Sequence, residues 1–198
     1  KIINNLIKKF NNIIIVGGMA NTMLKHTGSK VGKSICENDC GTLIKEILEN
    51  SKKYNCKITC PVDIVVSKNL KDVGKNKDIK EINDDEMILD IGPRTSRVIS
   101  RVFSQSKTLL WNGPLGVFET KPFDTGTILA AKAVAKLTNK GSLISVAGGG
   151  DTLAALDMAG VVEDFSHVST GGGAFLEWLK GDLLPGIEAL ITNRSKDI

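Results

Sequence analysis

Aromatic side chains are scarce in this 198-residue chain, where six Phe, two Trp and one Tyr amount to 5% of the residues. A core must then be built mainly from Ile, Leu, Val and Ala, which suits a buried parallel sheet better than an aromatic-rich antiparallel barrel. Histidine is scarcer still: only His26 and His167 occur, neither in a triad-like setting. With no candidate covalent nucleophile, any catalysis would have to rest on positioning and electrostatics. No run of eighteen apolar residues is present, nor a secretory or transit-like start, so no membrane partner and a cytoplasmic location are expected. The formal charge is +4, but it comes without an Arg-rich stripe. Lys30, Lys33, Lys52, Lys53, Lys71, Lys75 and Lys77 are interspersed with Glu and Asp, which argues against nucleic acid and for weak attraction of small anions. The cysteines fall in two pairs, Cys36/Cys40 and Cys56/Cys60. The second pair lies on a strand-like stretch, where residues four apart are too distant to hold one compact metal ion. Free thiols in a reducing compartment are expected instead. The first residue is Lys1 rather than Met, and a fragment of a longer chain is the expectation drawn from it.

What is present is an alternation of strand and helix signals. Ile2, Ile3, Leu6, Ile7 and Phe10 recur at helical spacing, and Ile13-Ile14-Ile15-Val16 is a β-branched run typical of a strand covered on both faces. Helices are predicted over Met19 to His26, Asp39 to Lys53, Pro93 to about Ser104, and Phe123 to Leu137. Strands are predicted at Lys57–Thr59, Asp63–Ser67, 87–91, 109–112 and 143–147. Pro61 argues for an edge, a bend or a split between the first and second of these strands. The polar segment from Lys68 to Asp85 reads as an excursion carrying short strands. One domain over residues 1–198 is the simplest count, with an α/β fold: a Rossmann-like three-layer α/β/α arrangement around a mainly parallel sheet.

The chain is organised around Gly148-Gly149-Gly150-Asp151-Thr152, which follows an apolar strand and opens a helix. Such a turn can aim backbone N–H groups at a phosphate, with the helix N-terminus adding favourable potential. Further glycine clusters at 17–18, 113–116 and 171–173 also follow predicted strands, so all of them could reach one rim of the sheet. Lys25 offers a mobile positive charge, and Asp151 a carboxylate able to orient a backbone amide or meet Mg²⁺. No glycine turn is followed by the Lys-Ser/Thr pair of the P-loop, and no G-x-G-x-x-G is present. From the residues alone, the reading is a phosphate-binding α/β domain.

Five segments carry a closer resemblance: Gly17-Gly18-Met19-Ala20-Asn21-Thr22-Met23-Leu24-Lys25, Leu89-Asp90-Ile91-Gly92-Pro93, Trp111 through Glu119, Gly148 through Thr152, and Phe165 through Ala174. Together, in this order, they resemble the C-terminal, nucleotide-binding half of phosphoglycerate kinase, in register from about Ile2 to Leu190. The resemblance implies that Lys25 contacts the nucleotide phosphates and that Asn112 lies near the transferring phosphate. Gly113, Pro114 and Val117 would wall the adenosine pocket, with Gly92 and the residues after Pro61 lining the base region. Glu119 would accept hydrogen bonds from the ribose hydroxyls. Gly148, Gly149 and Gly150 would cradle the phosphates, Asp151 would meet the Mg²⁺ of the nucleotide, and Thr152 would contact phosphate. Gly171, Gly172 and Gly173 would face the moving phosphoryl group and, with Lys25, form the catalytic set. The implied ligands are ADP or ATP with Mg²⁺, and the implied reaction moves a phosphoryl group between 1,3-bisphosphoglycerate and ADP, giving 3-phosphoglycerate and ATP. Val16 stands where the family commonly has glycine, and Phe175 where a small polar residue is common. The glycerate-binding N-terminal lobe of the family is missing, so this chain alone is expected to bind nucleotide with little or no turnover, the full-length enzyme being monomeric. A stand-alone nucleotide-binding module and a purely structural α/β domain are the alternatives.

Overall fold

The structure is a computed structural model that describes residues 2–169 and residue 177. Six α-helices and eight strands follow one another in the order α1 (Ile2–Ile7), β1 (Asn12–Ile14), α2 (Gly17–His26), α3 (Gly41–Lys53), β2 (Lys57–Thr59), β3 (Asp63–Ser67), β4 (Lys75–Asp78), β5 (Met87–Ile91), α4 (Pro93–Gln105), β6 (Thr108–Asn112), α5 (Thr125–Asn139), β7 (Ile144–Gly148), α6 (Gly150–Ala159) and β8 (His167–Ser169), among the described residues. Strands β1 and β2 pair in parallel, as do β6, β7 and β8 in the order β6-β7-β8. The expected α/β alternation with parallel pairing is thus present, but divided into separate hydrogen-bonded sheets. The third sheet is antiparallel, in the order β4-β3-β5. Here the polar 68–85 segment makes its excursion, folding β4 back on β3. Pro61 marks the break: β2 ends at Thr59, β3 starts at Asp63, and the two strands belong to different sheets. A residue without an N–H cannot continue a ladder, so the chain changes sheets there.

Strand β1 shows why a continuous β-branched run was needed. Ile13 packs with Ile15 on the cluster made by Ile7 of α1, Ala20 and Met23 of α2, and Ile44 and Ile47 of α3. Ile14 and Val16, pointing the other way, pack on the larger cluster that holds Ile99 and Phe103 of α4, Ala131 and Val134 of α5, and Leu156 of α6. The period-2 alternation of a strand thus places helices on both of its faces. Trp111, with its ring 6.2 Å from that of Phe103 and 6.1 Å from that of Phe165, links the aromatic residues of the larger cluster.

A buried carboxylate ties the antiparallel sheet to α4. Asp63, 1% exposed on β3, accepts hydrogen bonds from the N–H of Arg94 (3.0 Å), the N–H of Thr95 (2.7 Å) and the hydroxyl of Thr95 (2.7 Å). It acts as the N-terminal cap of a helix thirty residues downstream in the chain, supplying acceptors that the first turn lacks. Replacing Asp63 by Ala leaves these donors buried and unsatisfied, and should lower stability by about 3 kcal/mol. Urea unfolding should show that loss as a lower midpoint at unchanged slope; a loss below about 1 kcal/mol would refute this account of the cap.

Candidate functional site

Two turns leave the parallel sheet side by side. Asn112, the last residue of β6, is in register with Gly148, the last of β7. The chain beyond Gly148 must turn sharply into α6, and Gly149 does so at φ 102°, a left-handed conformation that side-chain-bearing residues rarely adopt. A Cβ at Gly149 would also stand 3.1 Å from Asn112 Oδ1 and 3.4 Å from Thr152 Oγ1, so the two turns are in contact. They are joined by a hydrogen bond of 2.7 Å from the N–H of Gly113 to Thr152 Oγ1. The indole of Trp111 donates to the carbonyl of Gly113 at 2.6 Å. On the other side, the Cβ direction of Gly17 at the start of α2 looks at the carbonyl of Pro114, 3.9 Å away. The glycine clusters at 17–18, 113–116 and 148–150 therefore do meet, around the Asn112–Pro114 turn.

The N–H groups at the helix starts distinguish this place from the rest of the described fold. Helix α4 has Asp63 as its acceptor. Helix α5 is served by Asp90 of β5, whose Oδ2 accepts from the N–H of Gly126 at 2.7 Å. Helices α2 and α6 have no such partner: neither Val16 nor Gly149 offers a side-chain cap, and no side chain among the described residues accepts from their first turns. Helix α3 also starts without a side-chain cap, but Gly41 there faces the ring of His26, at the C-terminal end of α2. The uncapped starts of α2 and α6 both border the Asn112–Pro114 turn. Exposed helix N-termini of this kind attract anions, because free N–H groups and the helix dipole act in the same sense. Asp151 is exposed in the first turn of α6, and Asn112 is exposed beside it.

The chain from Gly113 to Glu119 is held from below. Thr127, 1% exposed in the first turn of α5, accepts from the N–H of Leu115 at 3.0 Å and of Gly116 at 3.4 Å. Val117 donates its N–H to the carbonyl of Leu89 at 2.8 Å. Beneath Gly116 lies Asp90, 2% exposed; a Cβ at either Gly116 or Gly126 would run into its carboxyl group. Val117 is half-buried and Glu119 exposed, both on the outer side of this segment.

Other expected site residues lie elsewhere. Lys25 is in the last turn of α2, eight residues from Gly17 and so about 12 Å along the helix axis. Its Nζ donates to Asn38 Oδ1 at 2.7 Å and stands 3.7 Å from Cys36 Sγ. Gly92 packs against Asp63 and Asn76, its N–H donating to the carbonyl of Asp63, at the start of α4 rather than at the Asn112 turn. Thr152 is in the cluster, but at 1% exposure its hydroxyl holds Gly113 in place. Gly171, Gly172 and Gly173 lie outside the described residues. Sequence reasoning missed Ile35, which is 86% exposed and touches the Cβ direction of Gly18 through its carbonyl oxygen and Cγ2, at 3.8 and 3.9 Å. It sits in a segment tied to α2 by Asn21 Nδ2 donating to the Ile35 carbonyl at 3.2 Å and by the N–H of Glu37 donating to Thr22 Oγ1 at 3.0 Å. Nothing in the pattern around Ile35 marked it; Thr127 and Asp90 were visible only as polar residues within apolar stretches.

A family model described as phosphoglycerate kinase matches residues 1–182. The chain belongs to the phosphoglycerate kinase family. It is 53% identical over 192 residues to phosphoglycerate kinase of Xanthobacter autotrophicus, covering 96% of this chain and 48% of that protein. To the enzyme named phosphoglycerate kinase of Zymomonas mobilis it is 52% identical over 191 residues, with the same two coverages of 96% and 48%. The structure of phosphoglycerate kinase from Coxiella burnetii superposes with a TM-score of 0.91 at 40% identity, over 97% of this chain and 49% of that one. That from Pyrococcus horikoshii gives 0.80 at 28% identity, over 98% and 49%. The chain thus spans about half the length of the phosphoglycerate kinases it matches.

Burial in this family member pushes the Asp90 carboxyl up to about 7; nearby Asp124 adds to the rise, while the N–H groups of Gly126 and Ile91 oppose it. The folded chain therefore keeps a proton that the unfolded chain releases above about pH 4. The contribution of Asp90 to stability falls as pH rises from about 4 to 7, then levels off. Relative to Asp90→Asn, the parent should lose on the order of 2–3 kcal/mol between pH 5 and 8. Parallel urea titrations of the two proteins across this range check it, and a constant difference between them would overturn it.

Proposed function

We propose that this chain is the nucleotide-binding half of an enzyme that transfers a phosphoryl group between the acyl phosphate of 1,3-bisphosphoglycerate and ADP. The observation that carries the reading is the pair of uncapped helix starts, at Gly17 and Gly150, on either side of the Asn112–Pro114 turn. A nucleoside diphosphate laid across that turn meets N–H groups at its phosphate end from α6 and an apolar wall at its base end from Ile35 and Gly18. Val117 and Glu119 border the sugar, with the Glu119 carboxylate accepting from the ribose hydroxyls. Asn112 and the N–H groups of Gly150 and Asp151 hold the terminal phosphate for in-line transfer. Lys25 is left out of this grip, because its ammonium is engaged at the opposite end of α2.

Magnesium fits the donor set as part of the nucleotide. Mg²⁺ usually takes one or two carboxylates and completes its shell with phosphate oxygens and water. The cluster has the exposed carboxylate of Asp151, and no group of three or more His, Cys, Asp or Glu residues suited to a metal occurs among the described residues. When bound, the ion supplies charge neutralisation on the phosphate oxygens. The residues of this chain then have to align the diphosphate and keep the terminal oxygen in place, since an acyl phosphate is already a high-energy donor. The other substrate requires groups outside this chain, on the lobe that the longer relatives possess; closure of the lobes excludes water from the transfer. On this reading the full-length enzyme works as a monomer in the cytoplasm, with neither nucleic acid nor membrane as a partner. Separately, no described helix is long and apolar enough to cross a bilayer.

Calorimetric titration of this chain with ADP should show binding that Asp151→Ala weakens about tenfold with Mg²⁺ present and by less than twofold without it. Equal losses in both conditions would remove Asp151 from the metal. No binding of MgADP to the parent chain at millimolar concentration would sink the nucleotide reading. Joined to a substrate lobe, the chain should form ATP from an acyl phosphate, which coupled detection of ATP checks; an inert joined protein would favour a stand-alone nucleotide-binding module.

A further inference from the structure

We propose that the Thr127 hydroxyl is a positioning group for the nucleotide, setting the distance between the phosphate end and the sugar end of the Asn112–Glu119 segment. The inference rests on the nucleotide reading above and goes beyond it, since Thr127 is buried beneath the segment and acts through it. The segment has two fixed ends. At the first, Gly113 is held through its N–H by Thr152 Oγ1 and through its carbonyl by Trp111 Nε1. At the second, Val117 is held by the carbonyl of Leu89. Between them the N–H groups of Leu115 and Gly116 share one acceptor, Thr127 Oγ1.

Thr127 itself has little freedom. It is 1% exposed, and its β-branched side chain on a helix has few rotamers. Its helix start is fixed in turn, because Asp90 takes the N–H of Gly126 immediately before it. Asp90 also fills the space under Gly116, so the segment cannot sink toward the core there. Taking the hydroxyl away leaves the buried N–H of Leu115 and the half-buried N–H of Gly116 without this acceptor, and they regain hydrogen bonds by lifting toward solvent. Lifting the middle of a segment pinned at both ends changes the spacing of Asn112 from Val117 and Glu119. A ligand that spans both ends loses affinity; one that occupies the sugar and base end alone does not.

Thr127→Val removes the hydroxyl at nearly constant shape, and Thr127→Ser restores it. The chain, its two variants, MgADP and adenosine make the test by calorimetric titration. Thr127→Val should bind MgADP about tenfold more weakly and adenosine within twofold of the parent, with Thr127→Ser recovering MgADP affinity to within about threefold. Equal losses for both ligands, or MgADP affinity unchanged in Thr127→Val, would overturn the inference. A parent chain that binds neither ligand overturns the nucleotide reading and this inference with it, whereas normal parent binding with an indifferent Thr127→Val overturns the inference alone. Should Thr127→Val not fold, Thr127→Ala, which leaves room for a water at the vacated position, is read by the same ratio of MgADP loss to adenosine loss.

Discussion

A helix that begins inside a protein leaves its first N–H groups without partners in its own first turn, and this demand shapes the whole edge where the site lies. Helices α4 and α5 meet it with carboxylates from strands that precede them, Asp63 from β3 and Asp90 from β5. Both carboxylates are almost wholly buried, and each joins a helix to a strand of the antiparallel sheet. Helices α2 and α6 are served by no side chain among the described residues. Among the described residues, side-chain acceptors serve two helices and none serves the two that border Asn112–Pro114, which is what supports the proposed anion site there.

The segment carried between those two helices is stiffened by hydroxyls rather than by carboxylates. Thr127 and Thr152 each stand in the first turn of a helix, each is 1% exposed, and each accepts from the backbone of the same segment. A neutral acceptor can be buried there at lower cost than a charge. Asp90 shows what burial does to a carboxyl in the same neighbourhood, holding its proton up to about pH 7. Hydroxyls hold the segment without placing a negative charge under the proposed phosphate site.

On the α2 side the arrangement is looser and more exposed. The segment from Ile35 to Asn38 lies along α2, tied to Asn21, Thr22 and Lys25. Lys25 thus has a role, but as the last of three ties that present Ile35 beside Gly18. Farther along, Cys60 packs with its Sγ 3.3 Å from Met23 Sδ, and burial pushes its thiol up to about 11. That makes it part of the core under α2. Cys40 is occupied with Glu37, toward whose carboxylate its Sγ donates at 3.1 Å.

Local pattern alone determined the elements: β-branched runs became strands, and i, i+3, i+4 spacing became helices. Pro61 split two strands, and the 68–85 stretch made an excursion, whose antiparallel pairing on β3 only the tertiary structure supplied. Local pattern also determined the glycine turns, because a chain that must leave a strand and enter a helix within two residues needs φ > 0 at a position such as Gly149. Which turns meet was a matter of register between strands far apart in the chain, and only the tertiary structure decided it. Pairing of Asn112 with Gly148 brings Thr152 to Gly113, whereas Lys25, in the same sequence block as Gly17, ends a helix length away. Ile35 and Thr127 became legible only when packed, for exposure and a shared acceptor are properties of neighbours. A sequence states what each residue can donate, accept or bury; the fold decides which partner it meets, since that choice is made by distance in space and not along the chain.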